Sequence, residues 1–104
     1  MEKQYAYLVI FDWSTEDNLG IETNLYSTRE KAMEKFDEYI EEESDAELSW
    51  VGSEVFDENG EVNDGYSLRT NEDTDADVEL FWEVTDDTNA YKYSIIRLRK
   101  MEIQ

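Results

Sequence analysis

The fold is decided by residues 27–43, which read STREKAMEKFDEYIEEE. In this stretch the apolar residues recur three and four positions apart, the spacing of one face of an α-helix. Ser27 followed by Glu30 forms a capping box, which satisfies free N–H groups at a helix N-terminus. We therefore predict an amphipathic helix from Thr28 to about Glu43. Its apolar residues are Ala32, Met33, Phe36, Tyr39 and Ile40.

The segments on either side of this helix have the patterns of β-strands. Before it, residues 5–13 are apolar on both alternation sets, which predicts a central strand covered on both faces. In residues 21–26 apolar and polar side chains alternate, and this segment is predicted to form a hairpin with that strand. After the helix, segments bounded by turn residues predict further strands. These segments are 48–56, 66–70, 78–85 and 91–103.

The predicted order of elements is ββαββββ. A chain of 104 residues has the usual length of one domain, and no repeat, proline or linker divides it. We therefore predict a single α+β domain over residues 1–104. It would be a mostly antiparallel sheet of about five or six strands with one amphipathic helix packed on it.

The net charge is the most unusual property of the composition. The chain has 28 acidic and 9 basic residues, a formal charge of −19, which is far more than solubility requires. Such a field repels nucleic acid and anionic membranes and attracts cationic surfaces. Residues 41–90 contain 18 of the acidic residues and only one basic residue, Arg69, whereas residues 91–104 contain one acidic and four basic residues. A solvated surface adapted to high salt is the alternative explanation of this charge.

Two groups of carboxylates are regularly spaced and are the candidate partner-binding residues. The residues of the first group, the sheet patch, all have odd numbers. In an extended chain alternate residues point to the same side, so these carboxylates would project from one side about 6.6 Å apart. The second, the helix patch, follows the helix, where residues four apart advance about 6 Å. Both spacings are similar to that of phosphates along a nucleic-acid strand, so a phosphate-binding groove would meet a similar charge pattern. The sheet patch is Asp73, Asp75, Asp77, Glu79 and Glu83, and the helix patch is Glu34, Glu38, Glu41, Glu42 and Asp45.

Several kinds of chemistry are disfavoured by the residues that the chain lacks. It has no histidine or cysteine, and its four glycines form no phosphate-binding loop or nucleophile elbow. We therefore expect no enzymatic activity, no cofactor and no dedicated metal site. Asp73, Asp75 and Asp77 have the opening spacing of a calcium loop, but Val78 and Val84 stand where the turn glycine and the bidentate glutamate belong. Weak divalent-cation binding therefore stays open as an alternative.

The sequence also bears on location. No apolar run reaches the roughly eighteen residues of a membrane span, and the first residues lack the plan of a signal peptide. We expect a cytoplasmic protein that contacts neither membrane nor nucleic acid directly.

In size, charge and compact α+β plan, the sequence resembles the small acidic inhibitors encoded by phages and mobile elements, notably anti-CRISPR proteins and anti-restriction DNA mimics. The resemblance covers the whole chain at the level of composition. It implies an acidic face that occupies the basic groove of a CRISPR effector or another defence nuclease and competes with nucleic acid, in the host bacterial cytoplasm. A housekeeping interaction module, or an acidic chaperone, for another cationic protein is the alternative.

Overall fold

The computed structural model describes residues 4–71, 79–88 and 91–103. Five strands form one antiparallel sheet in the spatial order β2-β1-β5-β4-β3, and one long helix, α1, spans Arg29–Glu43. The predicted α+β class, a mostly antiparallel sheet with one amphipathic helix, is confirmed. The strands are β1 Gln4–Ser14, β2 Leu19–Tyr26, β3 Tyr66–Asn71, β4 Glu79–Asp86 and β5 Tyr93–Ile103.

The centre of the sheet joins the two ends of the chain. β1 pairs with β5 from Gln4 opposite Ile103 to Ser14 opposite Tyr93, and it pairs with β2 as the predicted hairpin. Because β1 and β5 are the longest strands and lie far apart in sequence, the sheet is complete only after a long-range contact forms.

The core lies between α1 and one face of the sheet. Val9, Val84 and Ile96 are fully buried on this face, and Phe36 and Tyr39 pack onto them from the helix. Because successive side chains of a strand point to opposite faces, every second strand residue points to the other side of the sheet. We call that side the bare face, because no described helix packs on it. Its side chains include Leu8, Ile10, Phe81, Ile95 and Arg97.

The prediction that the first strand is covered on both faces is therefore wrong for the part of the chain that the structure describes. Val9 packs into the core, whereas Leu8 and Ile10 on the bare face are only half-buried. Apolar residues on both alternation sets suggested two covering layers, but only one described layer is present.

Helix α1 begins one residue later than the capping box predicts. Thr28, with extended backbone angles, is the N-cap, and its hydroxyl accepts a hydrogen bond from the N–H of Lys31 at 3.3 Å. Glu30 is then the second helical residue rather than the third, so it does not hold the capping-box position opposite Ser27. The C-terminus of the helix at Glu43 is as predicted.

The strand predicted at residues 48–56 is wrong. A π-helical segment, Val51–Val55, lies there and buries both valines in the core. The hydroxyl of Ser49 accepts from the N–H of Val51 at 3.1 Å and so begins the turn. A Cβ atom on Gly52 would lie 2.3 Å from the carbonyl carbon of Asp45, so only glycine permits this backbone approach. Val51 and Val55 are four residues apart, a separation that puts two residues on the same side of a strand and on the same side of a helix. The apolar pattern of this segment therefore did not distinguish a strand from a helix.

The strands predicted at 66–70 and 91–103 are present as β3 and β5, and the one predicted at 78–85 is β4, described from Glu79. No helix in the described ranges has the length and hydrophobicity needed to cross a membrane.

Candidate binding surfaces

The helix patch lies on the solvent side of α1. Because Ala32, Phe36 and Tyr39 turn the opposite side of the helix into the core, the four glutamates of the helix patch project outward. Asp45 lies just beyond the C-cap of the helix, where its carboxylate accepts a hydrogen bond from the N–H of Glu47. Glu30 and Asp37 extend the same exposed surface. All five predicted residues of the patch are exposed: Glu34, Glu38, Glu41, Glu42 and Asp45.

Two lysines on the flank of α1 offset little of this charge. Lys35 Nζ lies 3.2 Å from Glu38 Oε1 and 4.7 Å from the centre of the Tyr39 ring. The hydrogen bond that Lys35 donates to Glu38 is the main reason that the pKa of Lys35 is raised. Among the described residues, Glu34, Glu41 and Glu42 have no cationic partner. Their three carboxylates are therefore open to an external cation.

The sheet patch is divided between described and undescribed residues. Asp73, Asp75 and Asp77 lie outside the described residues, so their predicted role stays a prediction. Glu79 and Glu83 lie on the same side of β4, as their shared parity predicts, and this side belongs to the bare face.

Each described carboxylate of the sheet patch is paired with an arginine. Glu79 Oε1 lies 3.4 Å from Arg97 Nε, and Glu83 Oε2 lies 3.9 Å from Arg69 Nη1. Arg69 also lies 5.7 Å from the centre of the Phe81 ring. Glu79 and Glu83 therefore lie beside arginines and an aromatic ring, and they do not form a uniformly acidic surface.

The bare face as a whole is balanced in charge. The described charged residues on its strands are three carboxylates and three arginines, which is exceptional in a chain with a formal charge of −19. The helix side and the bare face therefore differ in the partners they favour: cations on the first, uncharged or charge-balanced surfaces on the second. The six charged residues are Asp12, Arg69, Glu79, Glu83, Arg97 and Arg99.

Glu43 is a site residue that the sequence analysis missed. Its carboxylate turns inward, where Oε2 accepts hydrogen bonds from the hydroxyls of Ser94 at 2.9 Å and Ser49 at 3.1 Å. Burial raises the pKa of Glu43, and the two serine hydrogen bonds oppose that rise while the charge of Glu42 adds to it. The signal was present in the sequence, because Glu43 follows Tyr39 by four and Phe36 by seven and so falls on the apolar side of the helix.

A pocket of about 250 Å³ adjoins this carboxylate. Phe11, Trp13 and Trp50 line it together with Glu43, so aromatic rings surround the one inward-facing acid of the helix.

No group of three or more acidic side chains in the described residues is arranged to hold a metal ion. The calcium-like spacing at Asp73, Asp75 and Asp77 lies outside those residues, so weak divalent-cation binding there stays an open alternative.

Comparison of the chain with protein-family models, with curated proteins and with solved structures found no match.

Proposed function

We propose that this protein is an acidic binding protein that inhibits a nucleic-acid-binding protein by occupying its basic groove in place of nucleic acid. The observation that carries the proposal is the helix patch, in which regularly spaced carboxylates line the solvent side of one rigid helix. A CRISPR effector nuclease or another defence nuclease, met in the bacterial cytoplasm, is the partner class that we propose.

The spacing of the helix patch supports this mode of binding. Glu34, Glu38 and Glu42 follow one another at four-residue intervals, so their Cα atoms advance about 6 Å per step. Lysines and arginines placed to neutralise successive phosphates would find carboxylates at a comparable separation. Because the helix is packed on a sheet, the carboxylates keep this spacing without the entropy cost of ordering a flexible acidic tail.

The patch also carries a cost that a surface without function has no reason to bear. Each like-charged pair four residues apart destabilises a helix by about 0.2–0.5 kcal/mol, and Glu41 and Glu42 lie at the C-terminus, where the helix dipole disfavours anions. No basic residue occupies the last turn to compensate. Residues that destabilise their own secondary structure are commoner at functional sites than elsewhere, which favours a binding role for these side chains.

The described part of the sheet patch contributes less in this proposal. Glu79 and Glu83 are already paired with Arg97 and Arg69, so a basic groove would have to displace an internal cation to reach either carboxylate. We therefore assign the first contact with the partner to the helix patch.

The proposal is tested by capturing guide-free CRISPR effectors and other bacterial nucleases on the immobilised protein, with and without added DNA or RNA, over a range of salt concentrations. Retention should be lost when nucleic acid is added, because both ligands compete for one groove. It should also weaken as salt rises, because the contacts are ionic and screened. A nuclease that stays bound at saturating nucleic acid would contradict mimicry, and it would favour the alternative of an acidic interaction module for another cationic surface.

A further inference from the structure

β2 is an edge strand with little of the usual protection against pairing with another chain. It has β1 on one side, and no described strand pairs with its other side. It contains no lysine, no proline and no bulge, and its pairing with β1 is uninterrupted over the whole strand. Proteins normally blunt such an edge with several of these devices or with charged side chains, and of these β2 has the single charged residue Glu22.

The free edge of β2 is also apolar. Leu19 is 82% exposed, Ile21 65% and Leu25 66%. All three point to the bare face, where the described charges balance. The only charged residue of β2 is Glu22, which points to the opposite side of the sheet. A second strand can therefore approach this edge without meeting the negative charge that covers α1.

The hydrogen-bonding pattern shows which backbone groups are free. The N–H of Thr15 donates to the carbonyl of Asn18 at 2.7 Å, so this pair begins the ladder of hydrogen-bonded pairs between β1 and β2. Such pairs recur at every second position in an antiparallel ladder, which places Gly20, Glu22 and Asn24 in the bonds to β1. The alternate residues direct their N–H and C=O groups toward the free edge. These residues are Leu19, Ile21, Thr23 and Leu25.

We propose that a second copy of this chain adds its β2 antiparallel to this edge, with Thr23 on the two-fold axis. In this register the outward groups of Ile21, Thr23 and Leu25 in both strands pair, and Ile21 lies opposite Leu25 of the other copy. Glu22 then lies opposite Asn24. Placing the axis at Glu22 instead would set two glutamates directly opposite one another, which is destabilising.

This interface does not depend on the proposed function, and salt separates the two. Two copies of net charge −19 repel one another at long range, and salt screens that repulsion. The backbone and apolar contacts at β2 are little affected by screening. Self-association should therefore strengthen as salt rises, whereas binding of a basic partner should weaken.

The test combines sedimentation with site-specific crosslinking, which is clean because the chain has no cysteine of its own. The parent protein should show a concentration-dependent monomer–dimer equilibrium that shifts toward dimer at high salt. Under mild oxidation Thr23→Cys should form a disulfide-linked dimer rapidly, since opposed hydrogen-bonded residues have Cα atoms about 5.5 Å apart, within reach of a disulfide. Ile21→Cys should crosslink far more slowly, because the two copies of that residue are four positions out of register.

Two further variants distinguish dimerisation through the edge of β2 from non-specific association through exposed apolar residues. Leu25→Lys should weaken the dimer at least tenfold, while Leu48→Lys, at a site that is 69% exposed but distant from β2 in sequence, should leave it unchanged. Circular dichroism checks that both variants fold. A parent that stays monomeric at high concentration and high salt would overturn the proposal. Equal crosslinking by Thr23→Cys and Ile21→Cys, or equal loss in both lysine variants, would also overturn it.

Discussion

Ser94 Oγ lies 2.9 Å from Glu43 Oε2, and this hydrogen bond fixes the C-terminus of α1 to the central strand β5. Ser94 is fully buried, and the same carboxylate oxygen also accepts from Ser49, which precedes the π-helical segment. One inward-facing acid therefore ties together the helix, the sheet and the segment that completes the core.

The protonation of Glu43 should make stability depend on pH. Because burial holds its folded-state pKa above the unfolded value, the folded state binds more protons between the two values. The free energy of unfolding contributed by this residue therefore falls as pH rises through that interval. Glu43→Gln should be more stable than the parent near neutral pH, and the difference should vanish below the unfolded pKa of glutamate. Urea unfolding across that pH range measures it.

Glu42→Gln is the matched control for this experiment, since it removes one negative charge from the adjacent, exposed position. It should change the free energy of unfolding much less than Glu43→Gln does near neutral pH. If both variants changed stability in parallel, the burial of Glu43 would not be the cause.

Ser94→Ala should destabilise the protein by about 1–3 kcal/mol, because it leaves a buried carboxylate short of a donor. The loss should be smaller in the Glu43→Gln background, where no charge needs solvation. A double-mutant cycle measured by chemical unfolding gives the coupling energy between Ser94 and Glu43. A coupling of zero would show that the serine contributes by packing alone.

The start of α1 can be located by two alanine variants. Thr28→Ala should cost about 1 kcal/mol, because it removes the acceptor for the N–H of Lys31, whereas Ser27→Ala should change the stability little. Thermal unfolding of the two variants distinguishes them. The reverse order would mean that the capping box predicted from the sequence is the correct N-terminus.

Gly52→Ala should be more destabilising than Gly20→Ala. At Gly52 the added methyl group would meet the Asp45 backbone at 2.3 Å, whereas at Gly20 it would meet the Trp13 ring at 2.6 Å. A half-buried side chain can shift, but the backbone after α1 cannot do so without moving the helix, so we expect a loss of about 1–3 kcal/mol at Gly52. Comparable losses in both variants, measured by chemical unfolding, would contradict this packing of the π-helical segment.

Periodicity was sufficient for the parts of the fold that local rules govern. The spacing of Phe36 and Tyr39 placed α1, and the turn residues that bound the segments placed the strands that contain Val84 and Ile96. It failed at Val51 and Val55, because a separation of four is compatible with a strand and with a helix. There the decision was made by the close approach of Gly52 to Asp45, a tertiary contact that no local pattern encodes.

The candidate site was predicted in part. The alternation of side chains along a strand correctly placed Glu79 and Glu83 on one side of β4. It could not show that the neighbouring strands bring Arg97 and Arg69 to these glutamates. Cross-strand register creates these pairs, and a single sequence does not fix the order of strands in a sheet. The exposure of the helix patch, in contrast, follows directly from the helical period.

Nucleic-acid mimicry by the helix patch is tested most sharply by nuclease capture with two triple charge reversals compared with the parent. The first replaces the unpaired carboxylates Glu34, Glu41 and Glu42 with lysine, and the second replaces the exposed turn residues Glu58, Glu61 and Asp64. Both change the net charge equally, so only position distinguishes them. We predict that the helix triple loses at least tenfold in affinity for the guide-free nuclease that the parent captures, while the turn triple retains binding. Equal retention by both triples, or capture of no nuclease by the parent, would contradict the account.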